Sequence, residues 1–277
     1  MDLTMQVGSL VAVGDSLSEG VGDPCRGGAL RGWIHYLTSE PPGRPDADAV
    51  AVPVPSPGPV LVANLARSGT TVATLRRDQL GPAVALAPSY ITCVIGVNDV
   101  IAARFDVASF EEDYAHVLAE LSAAATVGVL TMTLHDVAAA LPLSRARRAR
   151  LRHRIAEAKE VIERVSRRHG AWLLDAGAAA RADGAGIVCV DRLHPNRRGH
   201  RYLAALAGDV LRARGGAVPG PGAAVPDADR PHERVASAAR HLLWLVRHLV
   251  PPLAGPPFTA RKAGPVRASA PPADRRY

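Results

Sequence analysis

A chain of 277 residues that is 48% hydrophobic has ample material for a buried core, and with only 4% aromatics that core must be built from Ala, Val, Leu and Ile. The formal charge of +7 is uneven: residues 216–277 carry nine Lys/Arg against four Asp/Glu, while the first 215 carry 24 against 22. A nearly neutral body without basic stretches interleaved with aromatics argues against a nucleic-acid surface, and no uncharged stretch reaches the roughly 18–20 apolar residues of a transmembrane helix.

Residues 9–13 (SLVAV) read as a buried strand and run directly into Gly14, Asp15 and Ser16. The preceding residues lack a positive n-region and a small-residue cleavage site, so no signal peptide is expected and the cytoplasm is the expected location. Leu30, Trp33, Ile34 and Leu37 fall on one helical face, and the seven prolines of 41–59 mark a surface loop. A second strand is expected over 60–63 (VLVA) and a third over 90–95 (YITCVI). Ser109 to Glu112 (SFEE) reads as a capping box that opens a helix with Tyr114, Val117, Leu118 and Leu121 inward.

Residues 127–132 (VGVLTM) form the fourth expected strand, followed by His135 and Asp136, which diverge and supply a wall rather than chemistry. Arginines 145, 147, 148, 150, 152 and 154 crowd the start of the next helix, the end where cations are unfavourable, unless that helix begins later. Its apolar stripe is Leu151, Ile155, Ala158, Ile162 and Val165. A short strand over 171–174 and a helix over about 197–214 complete a domain spanning 1–215. Such alternation of strands and helices implies a parallel sheet covered on both faces. A Pro/Gly-rich linker over 216–232 follows, then a basic amphipathic helix from Glu233 to Val250 suited to peripheral membrane contact, and a disordered tail over 251–277. The cysteines Cys25, Cys93 and Cys189 have neither metal-ligand spacing nor a disulfide framework.

Four segments combine chemistry with position. Ser16, in GDSLSEG, follows a buried strand and so sits at the carboxyl edge of the sheet, where open α/β proteins place ligands. Gly69, in NLARSGTT, could let a backbone N–H approach a ligand closely. Asn98, in GVND, could offer a side-chain N–H to an oxyanion. Asp191 and His194, in DRLHPN, are spaced so that the carboxylate can hold the imidazole nitrogen facing away from a nucleophile. Each alone has an ordinary explanation as a cap or turn. Four of them, each just after a strand, converge on one edge of one sheet.

GDSLSEG, Asn64 with Gly69, GVND and DRLHPN together resemble the four sequence blocks of the SGNH hydrolase family, the GDSL-type esterases and lipases. The resemblance spans about residues 9–215. It implies a flavodoxin-like three-layer α/β/α sandwich with a five-stranded parallel sheet. It further implies Ser16 as nucleophile, His194 as general base and Asp191 as its orienting partner. The oxyanion hole would be the backbone N–H groups of Ser16 and Gly69 with the Asn98 side chain. Acyl transfer from a small-molecule ester to water needs no metal or cofactor. The absence of G-x-S-x-G disfavours a standard α/β-hydrolase elbow. The alternatives are an acyltransferase or carbohydrate deacetylase using the same site, and a flavodoxin-like binding module whose site is inactive.

Overall fold

The continuous apolar runs become five parallel strands: β1 (Ser9–Gly14), β2 (Val60–Asn64), β3 (Tyr90–Val94), β4 (Gly128–Met132) and β5 (Trp172–Leu174). The computed structural model describes residues 8–24, 29–38, 59–139, 141–177, 187–189, 191 and 193–214, with 235 and 239 as isolated positions. Cys25, nearly all of the proline-rich 41–59 segment, the linker, the helix expected from Glu233 to Val250 and the tail lie outside the described residues, those isolated positions apart.

Strand order is β2-β1-β3-β4-β5, the flavodoxin-like order, so the chain reverses direction across the sheet between β1 and β3. β1 and β3 are apolar without alternation because helices cover both faces. Alternate residues serve opposite layers. Val11 and Val13 pack with α3 (Val72–Asp78), α4 (Leu80–Ala85), α6 (Val107–Ala124) and α7 (Arg145–Arg168). Leu10 and Ala12 pack with α2 (Gly32–Leu37) and α8 (Arg197–Arg212). Two short helices, α1 (Ser16–Glu19) and α5 (Val97–Ile101), follow directly on β1 and β3. This is the three-layer α/β/α sandwich with a five-stranded parallel sheet that the resemblance implies.

Two helix starts differ in detail from the sequence reading. α6 begins before Ser109, with Asp106 as its N-cap accepting the Ser109 N–H at 2.8 Å. Those N–H bonds hold the Asp106 carboxyl below its usual range, and Ser109 becomes a first-turn residue rather than the cap. The arginine-rich start of α7 is genuinely helical, with Ser144 as its N-cap. Its long side chains reach away from the unfavourable helix end to other partners. Arg148 donates to Ala138 O and Leu141 O, Arg152 pairs with Asp136 at 2.9 Å, and Arg154 donates to Ala102 O at 2.8 Å. These arginines brace the loops that follow β4 and α5.

The other layer is held by His200, which is fully buried in α8. Its Nδ1 accepts the Trp33 N–H at 3.1 Å and its Nε2 donates to Val21 O at 2.9 Å, fixing a neutral tautomer that ties α8 to α2 and to the chain after α1.

Candidate active site

β1 ends at Gly14, whose φ of +142° and close approach to Val94 O, 2.2 Å from where a Cβ would stand, exclude any other residue. The chain then turns sharply. Asp15 accepts the Leu17 N–H at 3.0 Å as the cap of α1, and Ser16 is the first residue of that helix. Asp15 is buried, and burial pushes its carboxyl up to about 6, opposed by the Leu17 N–H and the charge of His194.

Ser16 Oγ lies 2.9 Å from His194 Nε2, and His194 Nδ1 lies 2.8 Å from Asp191 Oδ2. Asp191 Oδ1 accepts the N–H groups of Leu193 and His194 at 3.0 and 3.1 Å, so one carboxylate both shapes the turn and orients the ring. With a carboxylate at Nδ1, the proton of a neutral imidazole sits there, and Nε2 faces Ser16 as an acceptor. The turn is fixed at its base by Cys189 N–H to His194 O (2.8 Å) and Asn196 N–H to Ile187 O (2.9 Å). Asn196 also caps α8 through the Gly199 N–H at 3.0 Å.

The segment after β2 closes the other side. Asn64 Nδ2 donates to Ser18 O at 2.7 Å, which ties the end of β2 to α1. Gly69 adopts φ +80°, and a Cβ there would meet nothing within 4 Å, so backbone conformation rather than crowding selects glycine. Asn98 Nδ2 donates to Thr70 O at 2.9 Å, and both oxygens of Asp99 accept the Val72 N–H at 3.1 and 3.2 Å. The end of β3 thus grips the loop that carries Gly69. Burial pushes the Asp99 carboxyl up to about 6 against the Val72 N–H.

Ser16, Gly69, Asn98 and His194 line one cavity of about 260 Å³. Its walls are mostly apolar, with Leu17, Met132, Ile187, Leu193 and Leu203 prominent. His135 contributes to the lining, and burial together with His194 holds its imidazole below the usual range; Asp136 turns outward to Arg152. Cys93 is buried with its thiol pushed up to about 12, an inert core side chain. The structure therefore brings every candidate residue to one place. Sequence reading did not single out Asp15, Asp99 or Gln79. The aspartates were legible as neighbours of motif residues, whereas nothing local to Gln79 marks it.

Comparison with known proteins agrees with this architecture. The GDSL-like lipase/acylhydrolase family matches residues 12–202. LAE5, an alpha/beta hydrolase enzyme from the metagenome of Lake Arreo, Spain, is 22% identical, with 75% of this chain and 95% of that one covered at a TM-score of 0.55. Axe2, an acetylxylan esterase from Geobacillus stearothermophilus, is 19% identical over 76% and 97% of the two chains, TM-score 0.53. The lipase/acylhydrolase from Enterococcus faecalis is 20% identical over 78% and 100%, TM-score 0.53. At such identities these neighbours speak to the fold alone. No curated protein sequence matches the chain. The match to the family covers more than half of the residues: the chain belongs to the GDSL-like lipase/acylhydrolase family and is a carboxylic ester hydrolase.

Proposed function

We propose that the chain hydrolyses esters bearing a hydrocarbon chain, through an acyl-enzyme on Ser16. The observation that carries the mechanism is the continuous line Ser16 Oγ, His194, Asp191, with separations of 2.9 and 2.8 Å, opening onto the cavity that Gly69 and Asn98 also line. His194 Nε2 takes the Ser16 proton as Oγ bonds to the ester carbonyl carbon. The carbonyl oxygen becomes an oxyanion, received by the backbone N–H groups of Ser16 and Gly69 and by the Asn98 side chain. The carbon–oxygen bond to the alcohol then breaks, and the imidazolium returns its proton to the departing alcohol. Water, deprotonated by His194, adds to the acyl-enzyme, and collapse frees the acid and restores Ser16. Asp191 stabilises the imidazolium in both halves.

The hydrocarbon reading rests on the apolar walls and the 260 Å³ of space. An apolar cavity of about 150 Å³ accommodates the six carbons of benzene, so scaling gives about ten carbons here. An acetyl group would leave most of that volume unfilled. The test is a matrix of p-nitrophenyl esters from acetyl to dodecanoyl and of acetyl esters of graded alcohols, with a fluorophosphonate probe and Ser16→Ala. We expect labelling at Ser16, loss of labelling and turnover in Ser16→Ala, and a kcat/KM maximum at about six to ten carbons on one side of the ester. Labelling at another serine would overturn the mechanism. A maximum at acetyl on both sides would overturn the substrate class and favour deacetylation of a polar alcohol.

A further inference from the structure

Gln79 lies between α3 and α4, belongs to no motif block and is 5% exposed. Its Oε1 accepts the Gly14 N–H at 2.8 Å, while its Nε2 donates to Gly14 O at 3.0 Å and to Thr70 Oγ1 at 3.3 Å. The reason is topological. β1 runs between β2 and β3, but pairing with β2 ends at Ala12 opposite Asn64, after which the chain turns away toward Gly69. Arg67 N–H still reaches Gly14 O at 3.2 Å, yet β2 offers no residue opposite Gly14 to accept its N–H. The planar amide of Gln79, with donor and acceptor side by side, stands in for the missing strand residue.

The groups it joins belong to the two halves of the proposed oxyanion hole. Gly14 leads through Asp15 to Ser16, and Thr70 adjoins Gly69. Thr70 O also receives the Asn98 side chain at 2.9 Å, so the third donor is referenced to the same loop. Gln79 does not line the cavity, so substrate binding does not call on it. We infer that Gln79 is a positioning residue: it sets the spacing between the Ser16 and Gly69 N–H groups so that both meet the oxyanion as charge develops. This inference rests on the ester-hydrolysis reading above.

The experiment compares Gln79→Leu, Gln79→Glu, Thr70→Val and Thr70→Ser with the wild type. A fluorophosphonate titration counts competent sites, so that kcat is expressed per site. Gln79→Leu is expected to lower kcat per site by about 10–100-fold with KM changed less than about twofold, since the donors act in the transition state. Thr70→Val is expected to lower it by a smaller factor, and Thr70→Ser, which keeps the hydroxyl, to restore it. Gln79→Glu adds a pH signature. Its neutral carboxyl keeps a donor for Gly14 O and its ionised form repels that oxygen, so its kcat relative to wild type falls as pH rises. A role confined to stability would reduce the number of titratable sites and the Tm while leaving kcat per site unchanged. Unchanged kcat per site in Gln79→Leu and Thr70→Val, with Ser16 labelled in the wild type, overturns this inference alone. If Gln79→Leu does not fold, the pH signature of Gln79→Glu decides, since Thr70 Oγ1 also donates to Arg67 O at 2.6 Å and Thr70→Val removes that bond too. A wild type that is not labelled at Ser16 overturns the hydrolase mechanism and this inference with it.

Discussion

Asn98 offers two side-chain N–H bonds, and Thr70 O occupies one at 2.9 Å. The bond to Thr70 fixes the amide plane in advance, so that in the proposed mechanism the second N–H would meet the acyl oxygen without reorganisation, which is where an oxyanion donor gains its effect. Asn98→Ala is expected to lower kcat by roughly 10²–10³-fold with little change in KM. Steady-state kinetics on the best p-nitrophenyl ester check this, and a loss confined to KM would make Asn98 a ground-state binding residue. Asp191 poses a different question, because its two oxygens do different work. Oδ2 holds the His194 ring, and Oδ1 holds the N–H groups of residues 193 and 194. Asp191→Asn keeps an acceptor but loses the charge that would stabilise the imidazolium in the proposed mechanism. It should cost no more than His194→Ala, which removes the base itself. If Asp191→Asn keeps full activity, the carboxylate serves the turn and not the imidazolium.

At the scale of elements, legibility followed the reach of the forces involved. The strands were readable because burial on both faces leaves uninterrupted apolar runs, as in YITCV of β3, whose residues are all buried. Ser16, Gly69 and Asn98 were readable because each lies a few residues beyond a strand, and His194 because it stands just before the Asn196 cap of the last helix. The start of α6 was misplaced because SFEE satisfies the local pattern of a capping box, while Asp106 offers the same chemistry three residues earlier. Gln79 and His200 were not readable at all. Their partners Gly14 and Trp33 lie 65 and 167 residues away along the chain, and only the fold brings them together. Asp99 falls between these cases, and its environment makes a prediction about stability. Its carboxyl is raised from 3.8 to about 6 in the folded protein, chiefly by burial. The folded state therefore retains a proton that the unfolded chain releases, and the stability this contributes is full below the unfolded value and lost as pH rises through about 6. Asp99→Asn preserves an acceptor for the Val72 N–H and removes the titration. The variant should gain on the wild type as pH rises from about 4 to 6 and keep a constant margin above that window. Urea unfolding at a series of pH values measures the margin, and one that never changes would mean that Asp99 is solvated as an ordinary carboxylate.

Considered as a whole molecule, the protein separates chemistry from charge. Every residue assigned a chemical role lies between Gly14 and His194, inside the family match at 12–202, whereas residues 216–277 supply nine Lys/Arg against four Asp/Glu. Among the described residues no helix is long and apolar enough to cross a membrane. In the sequence from Glu233 to Val250, Val235, Ala238, Ala239, Leu242, Val246 and Leu249 recur at helical spacing, with Arg240 and Arg247 off that stripe. Such a segment gains affinity for an anionic surface from apolar contact and from charge together, and the charge component is screened by salt. A chain cut after Gly215 is therefore expected to keep the kcat and KM of the full chain on a soluble ester. The full chain is expected to sediment with vesicles containing phosphatidylserine at low salt and to release them as salt is raised, and the shortened chain is expected not to sediment with them. Equal sedimentation of both forms would remove the segment as the anchor. Aggregation of the shortened chain, with the full chain free of the vesicles, would instead assign the apolar stripe to a surface of its own domain, because a stripe in contact with that domain cannot also face the lipid.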